Sequence, residues 1–431
     1  MNVPITRSLA GRTLLAILAL ASVGCAPPDR GALEARRPDL AFGGAEGVGL
    51  SSEALAEIQP AMQAMVDEGR TAGIMTLVAR RGRVVHWEAV GDRVLGDPLE
   101  PNDVFRIYSM TKPVTSVAVM MLVEEGRVGL DDPLAVYLPA FGDVQVLDDG
   151  ARRAPSRDIT IRDLLRHTSG LTYGIFGNGP VDVMYREELG SALNTQSGVD
   201  LATFVDRISE LPLLADPGTV WNYSLSTDVL GRVVEVASGM SLDDFFHTRI
   251  FEPLEMHETS FYVPSERRDR FTGVYRSTDD GLRMIDSPES GPFTRPPTWY
   301  SGGGGLTSTA MDYLRFTQML LNEGELDGVR LLRAETIRSM TRDQLPAPIA
   351  MSPEEGFGLG FSVATSGATP DVYRWSGVMN TYFWIDPVEE LIGFAWTQYD
   401  PFGGIPLLPT MRRLVQETLI ESNRAVGVGV P

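Results

Sequence analysis

Strand-like segments lie at both ends of this chain, and that placement constrains the fold more than any other feature of the sequence. Two β-rich runs, GIMTLVAR and RVVHWEAV, are joined by a short turn at Gly82, and similar runs such as NTYFWIDP and LIGFAWTQ return in the last third. Runs of β-branched and aromatic residues bounded by turn residues are typical of strands. The pattern predicts one antiparallel sheet that distant parts of the chain complete together.

The residues between these runs have helical patterns. The segment KPVTSVAVMMLVEEGRV is apolar on nearly every face, which is typical of a buried helix, and Pro113 and Gly126 suit its first turn and its end. Other helical segments, such as ITIRDLLRH and STDVLGRVVEVASG, alternate with long irregular stretches. The sequence therefore predicts an α/β fold of the α+β type: an antiparallel sheet flanked by helices, with an inserted and mainly helical lobe.

The predicted domain spans residues 49–425. We expect its α/β lobe to consist of residues 49–150 and 290–425, and its helical lobe of residues 150–290. A chain of this length buries a large core without disulfide bonds, and its one cysteine cannot form an internal one.

The N-terminus has the pattern of a secretory signal. Arg7 and Arg12 precede the apolar run LLAILALASVG, which is too short to cross a bilayer as a permanent helix. The run ends at Cys25 in ASVGC, which resembles the site where lipoprotein signals are cleaved and lipidated, with an ordinary cleaved signal as the alternative. We expect a signal peptide over 1–25 and a flexible tether over 26–48. The protein would then be exported, periplasmic or tethered to the membrane by a lipid on Cys25.

Composition argues against several classes of function. Acidic residues outnumber basic ones by 57 to 37, and the formal net charge of -20 opposes binding to nucleic acids. The glycine run 302–305 lacks the lysine of a phosphate-binding loop, and no metal-site spacing occurs among the four histidines, His86, His167, His247 and His257. We therefore expect no metal, no cofactor and no nucleic-acid partner. The sequence leaves the oligomeric state open.

Lys112 is the single lysine among 37 basic residues, the rest being arginines. It stands three residues after Ser109 at the start of the predicted buried helix, so both side chains lie on one face of the first turn. A serine hydroxyl becomes a good nucleophile when a base removes its proton. A lysine amine can do this only if its pKa falls from about 10.4, and a guanidinium keeps its proton. The pair predicts a nucleophilic Ser109 assisted by Lys112, with a leftover surface lysine as the alternative.

A second element, VWNYSLSTDVLG, places Tyr223 just before another predicted helix. A helix N-terminus and a nearby ammonium lower the pKa of a tyrosine hydroxyl from about 10, which favours proton transfer. Tyr223 is therefore a candidate general acid and base, although most tyrosines before helices are packing residues. The mechanistic rival is a Ser-His-Asp hydrolase, but Gly-x-Ser-x-Gly is absent from the chain.

Three ordered elements, SMTK, YSL and WSG, resemble Ser-x-x-Lys, Tyr-x-Asn and Lys-Thr-Gly of the serine β-lactamase and penicillin-binding protein superfamily. Longer stretches, including ITIRDLLRHTSGL, IFEPLEMHETSF and GGGGLTSTAMDYLRF, resemble the β-lactamase-related family that includes class C β-lactamases and family VIII carboxylesterases. The resemblance implies a β-lactamase/transpeptidase-like fold. Two departures, Leu225 for the Asn and Trp375 for the Lys, remove groups that bind β-lactams and peptides, and they make the chain most similar to family VIII esterases.

The resemblance also implies a role for each matching position. Ser109 would accept the acyl group, and Lys112 and Tyr223 would share the general acid and base work. The backbone N–H groups of Ser109 and Val378 would form the oxyanion hole. The expected substrate-binding residues are Trp375, Ser376, Gly377 and Leu225, together with the loop aromatics Trp299 and Tyr300, for which simple packing is the alternative.

The predicted function is that of a serine carboxylesterase that forms an acyl-enzyme on Ser109 and acts on short or medium acyl esters. Its expected partner is a small-molecule ester. Two alternatives stay open. One is β-lactamase or D-amino-acid peptidase activity on the shared scaffold, and the other is a non-catalytic, lipid-tethered protein with this fold.

Overall fold

The structure, a computed structural model, describes residues 40–190 and 193–424. The predicted signal peptide, Cys25 and the first part of the predicted tether lie outside the described residues. Across the described ranges, no helix combines the length and apolarity needed to cross a bilayer.

The elements of the described chain are numbered here in chain order. The strands are β1 Ala41–Phe42, β2 Gly73–Arg80, β3 Arg83–Val94, β4 Asp97–Pro98, β5 Phe105–Arg106, β6 Val146–Asp148, β7 Ala151–Arg153, β8 Val274–Thr278, β9 Gly281–Asp286, β10 Thr307–Ser308, β11 Glu325–Leu326, β12 Val329–Arg330, β13 Glu355–Phe357, β14 Ser362–Ala364, β15 Tyr373–Gly377, β16 Thr381–Asp386, β17 Leu391–Trp396 and β18 Tyr399–Asp400. The helices are α1 Ser52–Leu55, α2 Ile58–Asp67, α3 Thr111–Glu124, α4 Ile161–Leu165, α5 Pro180–Leu189, α6 Leu201–Ser209, α7 Ser226–Ser238, α8 Leu242–Phe246, α9 Ala310–Leu321, α10 Ala334–Met340 and α11 Leu407–Glu417.

The large sheet joins the two ends of the chain. Its strand order is β1-β3-β2-β17-β16-β15-β14-β13, with β4 paired to β3. Strand β2 is antiparallel to both β3 and β17, and Met75 of β2 pairs with Trp396 of β17. Apart from the short parallel β1–β3 pair, the ladders of this sheet are antiparallel. The fold-class prediction is confirmed.

Alternate residues of the central strands enter two separate cores. Phe383 and Ile385 of β16 belong to the larger core, which also contains α3 and α9. Tyr382 and Trp384 of the same strand point to the opposite face, where α2 and α11 cover the sheet. This alternation is what a pleated strand buried on both sides requires. Helix α3 therefore lies deep between the sheet and the helical segments.

Helix α3 is buried along nearly its whole length, as its sequence predicts. It packs against α7, the helix that follows Tyr223. Helix α4 begins with a capping box in which the Thr160 side chain accepts from the Asp163 N–H and Asp163 bonds back to the Thr160 backbone. The α3–α7 contact brings the two sequence elements that carry Ser109 and Tyr223 to one place.

The prediction of a flexible tether over residues 26–48 is wrong for residues 40–48. Residues 40–48 begin the folded domain: Leu40 is 1% exposed, β1 pairs with β3, and Val48 packs into the smaller core. Alanines and glycines in this segment suggested flexibility, but they separate apolar residues that reach the core. The folded domain therefore starts earlier than the composition indicates.

Candidate active site

Ser109 lies in a single 3₁₀ turn, Tyr108–Met110, directly before α3. Strand β5 precedes the turn and pairs with β10, so the turn is held at both ends by regular structure. Tyr108 has a φ of 43°, a left-handed conformation that a non-glycine residue adopts only when its surroundings impose it. The nucleophile candidate is thus fixed at the positive end of a long buried helix.

Tyr223 and Lys112 both contact the Ser109 hydroxyl. The Tyr223 hydroxyl donates a hydrogen bond of 2.7 Å to Ser109 Oγ. Lys112 Nζ donates to the same oxygen over 3.4 Å. The structure therefore brings together the three side chains that the sequence analysis singled out, with the tyrosine as the nearer neighbour of the serine.

Lys112 makes three convergent contacts from one nitrogen atom. Besides Ser109, its Nζ donates to the Gly303 carbonyl over 2.6 Å and to the Tyr173 hydroxyl over 2.8 Å. The side chain is 1% exposed, and its Nζ lies 4.7 Å from the centroid of the Tyr223 ring. With three acceptors around it, the buried Lys112 nitrogen has a partner for each of its three N–H donors.

Asp228, in the first turn of α7, supplies the negative charge that faces this ammonium. Its Oδ1 accepts hydrogen bonds from the Ser301 hydroxyl over 2.6 Å and the Gly303 N–H over 2.9 Å. Burial raises the pKa of Asp228, while the charge of Lys112 and the bonds from Ser301, Gly303 and the Tyr173 hydroxyl oppose the rise. Asp228 and Lys112 are thus linked through Gly303 and through Tyr173.

The glycine run is needed because the backbone passes too close to Asp228 for a side chain. A Cβ on Gly303 would lie 2.4 Å from a carboxylate oxygen of Asp228, a distance that would force the carboxylate to move. The run presents the Gly303 carbonyl to Lys112 and the Gly303 N–H to Asp228.

Aromatic rings surround Tyr223. The ring centroids of His167, Tyr173, Trp375 and Phe176 lie 4.9, 5.3, 5.4 and 5.7 Å from its own. Burial, with the charge of Lys112, lowers the pKa of His167 well below its usual value, so this imidazole is neutral. Its Nδ1 lies 3.3 Å from Ser224 Oγ, and its carbonyl accepts from the Asn222 N–H. His167 therefore holds the loop that carries Tyr223.

The two backbone amides expected to form an oxyanion hole are unengaged. Among the described residues, neither the Ser109 N–H nor the Val378 N–H has a protein acceptor. Val378 follows β15 directly and is 39% exposed at the mouth of the site. Both donors are therefore available to an oxygen atom placed beside Ser109 Oγ.

A cavity of about 650 Å³ opens above Ser109 and Tyr223. Its walls are mainly apolar and include four of the six predicted substrate-binding residues, Leu225, Trp299, Trp375 and Ser376, together with Val378 of the predicted oxyanion hole. Phe176 and Phe402 stand at the rim, 64% and 51% exposed. In the described chain, no arginine lines this cavity.

Two predicted substrate-site residues lie elsewhere. Tyr300 is not part of the cavity wall and packs against Phe261, with their ring centroids 4.9 Å apart. Gly377 also lies behind the wall, where a Cβ would approach the Ile107 carbonyl to 2.4 Å. Gly377 therefore lets β15 pass close to the nucleophile segment, and neither residue lines the cavity above Ser109.

The sequence analysis missed Tyr173 and Asp228. Tyr173 is in an irregular segment, and Asp228 occupies a position where acidic residues ordinarily favour the start of a helix. Neither pattern indicates a site. Among residues 40–190 and 193–424 there is also no cluster of three or more side chains suited to hold a metal ion.

Fold and site together define a class of proteins in which a Ser-x-x-Lys helix start and a tyrosine meet between an antiparallel sheet and a helical lobe. The sequence model of the β-lactamase family matches residues 58–415, and this chain belongs to that family.

Relatives and solved structures agree with this membership. Protein Rv1367c of Mycobacterium tuberculosis is 34% identical over 405 residues, which are 86% of this chain and 98% of that protein. Esterase EstB of Burkholderia gladioli is 31% identical over 381 residues, 81% of this chain and 91% of the esterase. The solved structure of EstCE1, a hydrolase with promiscuous acyltransferase activity, matches with a TM-score of 0.73 and 28% identity, over 86% of this chain and 99% of its own. The resemblance inferred from the sequence is confirmed.

Proposed function

We propose that this protein is a serine carboxylesterase that forms an acyl-enzyme on Ser109. The observation that carries the proposal is the contact of Ser109 Oγ with Tyr223 and Lys112 at the floor of a mainly apolar cavity. A serine hydroxyl that is hydrogen-bonded to a phenolic oxygen and lies beside a buried cation is suited to nucleophilic attack on an ester carbonyl. The esterase relatives support the same reaction.

In the proposed reaction, Tyr223 in its phenolate form takes the Ser109 proton as Oγ attacks the carbonyl carbon. The Ser109 and Val378 N–H groups donate to the carbonyl oxygen as it gains negative charge. Tyr223 then returns the proton to the leaving alcohol, and the acyl group stays on Oγ. In the second half, Tyr223 takes a proton from water as the water oxygen attacks the acyl carbon. The bond to Oγ then breaks, the acid leaves, and Tyr223 returns the proton to Ser109 Oγ. Lys112 stabilises the negative charge on the Tyr223 oxygen between transfers.

The walls of the cavity favour an uncharged substrate. β-Lactams and cell-wall peptides carry a carboxylate that needs a cation, and Trp375 stands where the related enzymes of the superfamily have one. Leu225 likewise offers no amide to an acylamino group. Because a buried carboxylate without a partner is strongly disfavoured, neutral apolar esters suit this cavity better.

The test compares p-nitrophenyl butyrate with a chromogenic cephalosporin, and follows both by intact-mass detection of the acyl-enzyme. We expect turnover of the ester, a mass increase of one butyryl group on the wild type, and neither with Ser109→Ala. Strong turnover of the cephalosporin without the ester would favour the β-lactamase alternative. If a fluorophosphonate probe fails to label Ser109 of the folded wild type, the non-catalytic alternative is the better one.

Asp228→Asn is expected to lower kcat/KM by about tenfold and to move the acid limb of its pH profile to lower pH by roughly one unit. Loss of a buried negative charge lowers the pKa of an ionisable group that faces it, which sets the direction of the expected change. The change is nearly isosteric. Ser301 and Gly303 both donate to Oδ1, and an asparagine keeps that acceptor. The measurement is kcat/KM for p-nitrophenyl butyrate across pH.

Ser301→Ala is the matched control for this prediction. It removes one hydrogen bond to Asp228 but leaves the carboxylate, so its pH profile should stay close to that of the wild type. Superimposable profiles for Asp228→Asn and wild type would show that the carboxylate does not act on the site.

We also propose that the protein is exported and tethered through a lipid on Cys25. The support is the sequence alone, namely Arg7 and Arg12 before an apolar run that ends at ASVGC. Labelling of expressing bacteria with a radioactive fatty acid should mark the wild-type protein and not Cys25→Ala. Equal labelling of both would exclude this cysteine as the attachment site.

A further inference from the structure

A second cavity lies on the face of the sheet that is turned away from Ser109. It has a volume of about 360 Å³ and lies between α11 and the outer face of the sheet. Its apolar part is formed by Val372, Trp384, Leu391 and Val415, all in or beside the smaller core. The size is within the range of pockets that hold small ligands.

One charge in the wall of this outer cavity is uncompensated. Arg412 of α11 makes one side-chain hydrogen bond, to Thr369 Oγ1 over 2.9 Å, and across the described ranges no carboxylate lies within ion-pair distance of it. Burial lowers the pKa of Arg412, and the charge of Asp386 only partly offsets this effect. Most of the donors of this guanidinium therefore have no protein acceptor.

The other charged groups of the wall are engaged. Asp386 accepts from Arg424 over 2.8 Å and from two backbone N–H groups. Glu389 pairs with Arg80 over 2.8 Å, and Arg413 pairs with Glu417 over 2.8 Å. With these pairs formed, the remaining charge that faces the cavity is the positive charge of Arg412.

A second cation, Arg374 of β15, lies near Arg412. Arg374 forms an ion pair with Glu355. Burial and repulsion by Arg412 lower the pKa of Arg374 to about 10. Because Glu355 already pairs with Arg374, an anion bound beside Arg412 would relieve the repulsion between the two arginines without replacing that ion pair.

We propose that the outer cavity binds an amphipathic anion, with its carboxylate on Arg412 and its apolar tail against Trp384 and Val415. A planar carboxylate can take two parallel N–H donors from one guanidinium, which gives it an advantage over a single-point acceptor. Burial of the tail against the apolar wall adds binding free energy that an inorganic anion, which has no tail, cannot gain. The site is separate from Ser109 and does not depend on ester hydrolysis.

The test is calorimetric titration with sodium decanoate below its micelle concentration, beside decanol and sodium sulfate. We expect decanoate to bind at least tenfold more tightly than either, because decanol lacks the charge and sulfate lacks the tail. In Arg412→Gln, the dissociation constant for decanoate should rise at least tenfold. In Arg413→Gln, the matched control at a neighbouring and already paired arginine, it should stay unchanged.

Ala368→Glu is a second variant that does not depend on the fold tolerating a change at Arg412. Ala368 is an exposed residue of the cavity wall, and a carboxylate there should compete with decanoate and weaken it at least tenfold. The proposal is overturned if decanoate binds both variants as it binds the wild type, since the acid would then occupy another place such as the cavity above Ser109. It is also overturned if decanol or sulfate binds as tightly as decanoate, or if decanoate does not bind the wild type.

Discussion

Lys112→Arg is expected to lower kcat/KM for p-nitrophenyl butyrate by about a thousandfold or more, although the charge is kept. Lys112 directs three bonds from one nitrogen to Ser109, Tyr173 and Gly303, at a side chain that is 1% exposed. A guanidinium is planar and larger, and it spreads its donors over three nitrogens, so it cannot make the same convergent set.

Two comparisons make this result interpretable. Ser109→Ala gives the background activity of a protein without the nucleophile. Lys112→Met removes the charge of Lys112 but keeps a side chain of similar length, whereas Lys112→Arg keeps the charge and changes the shape. We expect all three variants to be similarly inactive while their melting temperatures show that they are folded. Full activity of Lys112→Arg would mean that the single lysine of the chain is an accident of composition.

Tyr223→Phe is expected to lower kcat/KM by about a hundredfold to a thousandfold, the usual contribution of a general acid or base. The variant removes the hydroxyl that lies 2.7 Å from Ser109 Oγ and keeps the ring within its aromatic surroundings. Substrate binding should change little, so the loss is expected in kcat more than in KM. Stopped-flow measurement of p-nitrophenol release would also show slower acylation.

Tyr300→Phe is the control that the structure provides for this experiment. Tyr300 stands in the glycine-run loop, but its side chain packs on Phe261 outside the cavity. Its activity should stay within about twofold of the wild type. If Tyr223→Phe were equally active, Lys112 would have to carry the proton transfer alone.

Ser109 and Lys112 were predictable from local geometry alone. Ser109 and Lys112 are three apart at a helix start, and the helix itself was visible from its apolar pattern. That Tyr223 lies near Ser109 was predicted from the order of the three motifs, which resembles that of the β-lactamase superfamily. Tyr173 and Asp228 were missed because their contacts depend on the paths of loops between helices, and no spacing in the sequence encodes those paths.

The path of an irregular loop also explains why the prediction for Tyr300 was wrong. Tyr300 follows Trp299 directly, yet only Trp299 faces the cavity, where it also stacks on Phe204 with a centroid distance of 4.3 Å. In an irregular loop the direction of each side chain depends on backbone angles that composition does not determine. By contrast, the strands were predictable because burial on both faces of a sheet leaves a clear pattern in the sequence.

The pairing of Met75 with Trp396 also bears on when the folding protein becomes active. Contacts between distant parts of a chain are slow to form, because a long loop must close before they contribute. Strand β15, which carries Trp375, joins the sheet core through β16 and β17, so its place is fixed only when these late segments are made. The segment that carries Ser109 therefore precedes the wall beside it by most of the length of the chain, and we expect hydrolytic activity only when residues up to the end of β17 are present and paired in the sheet.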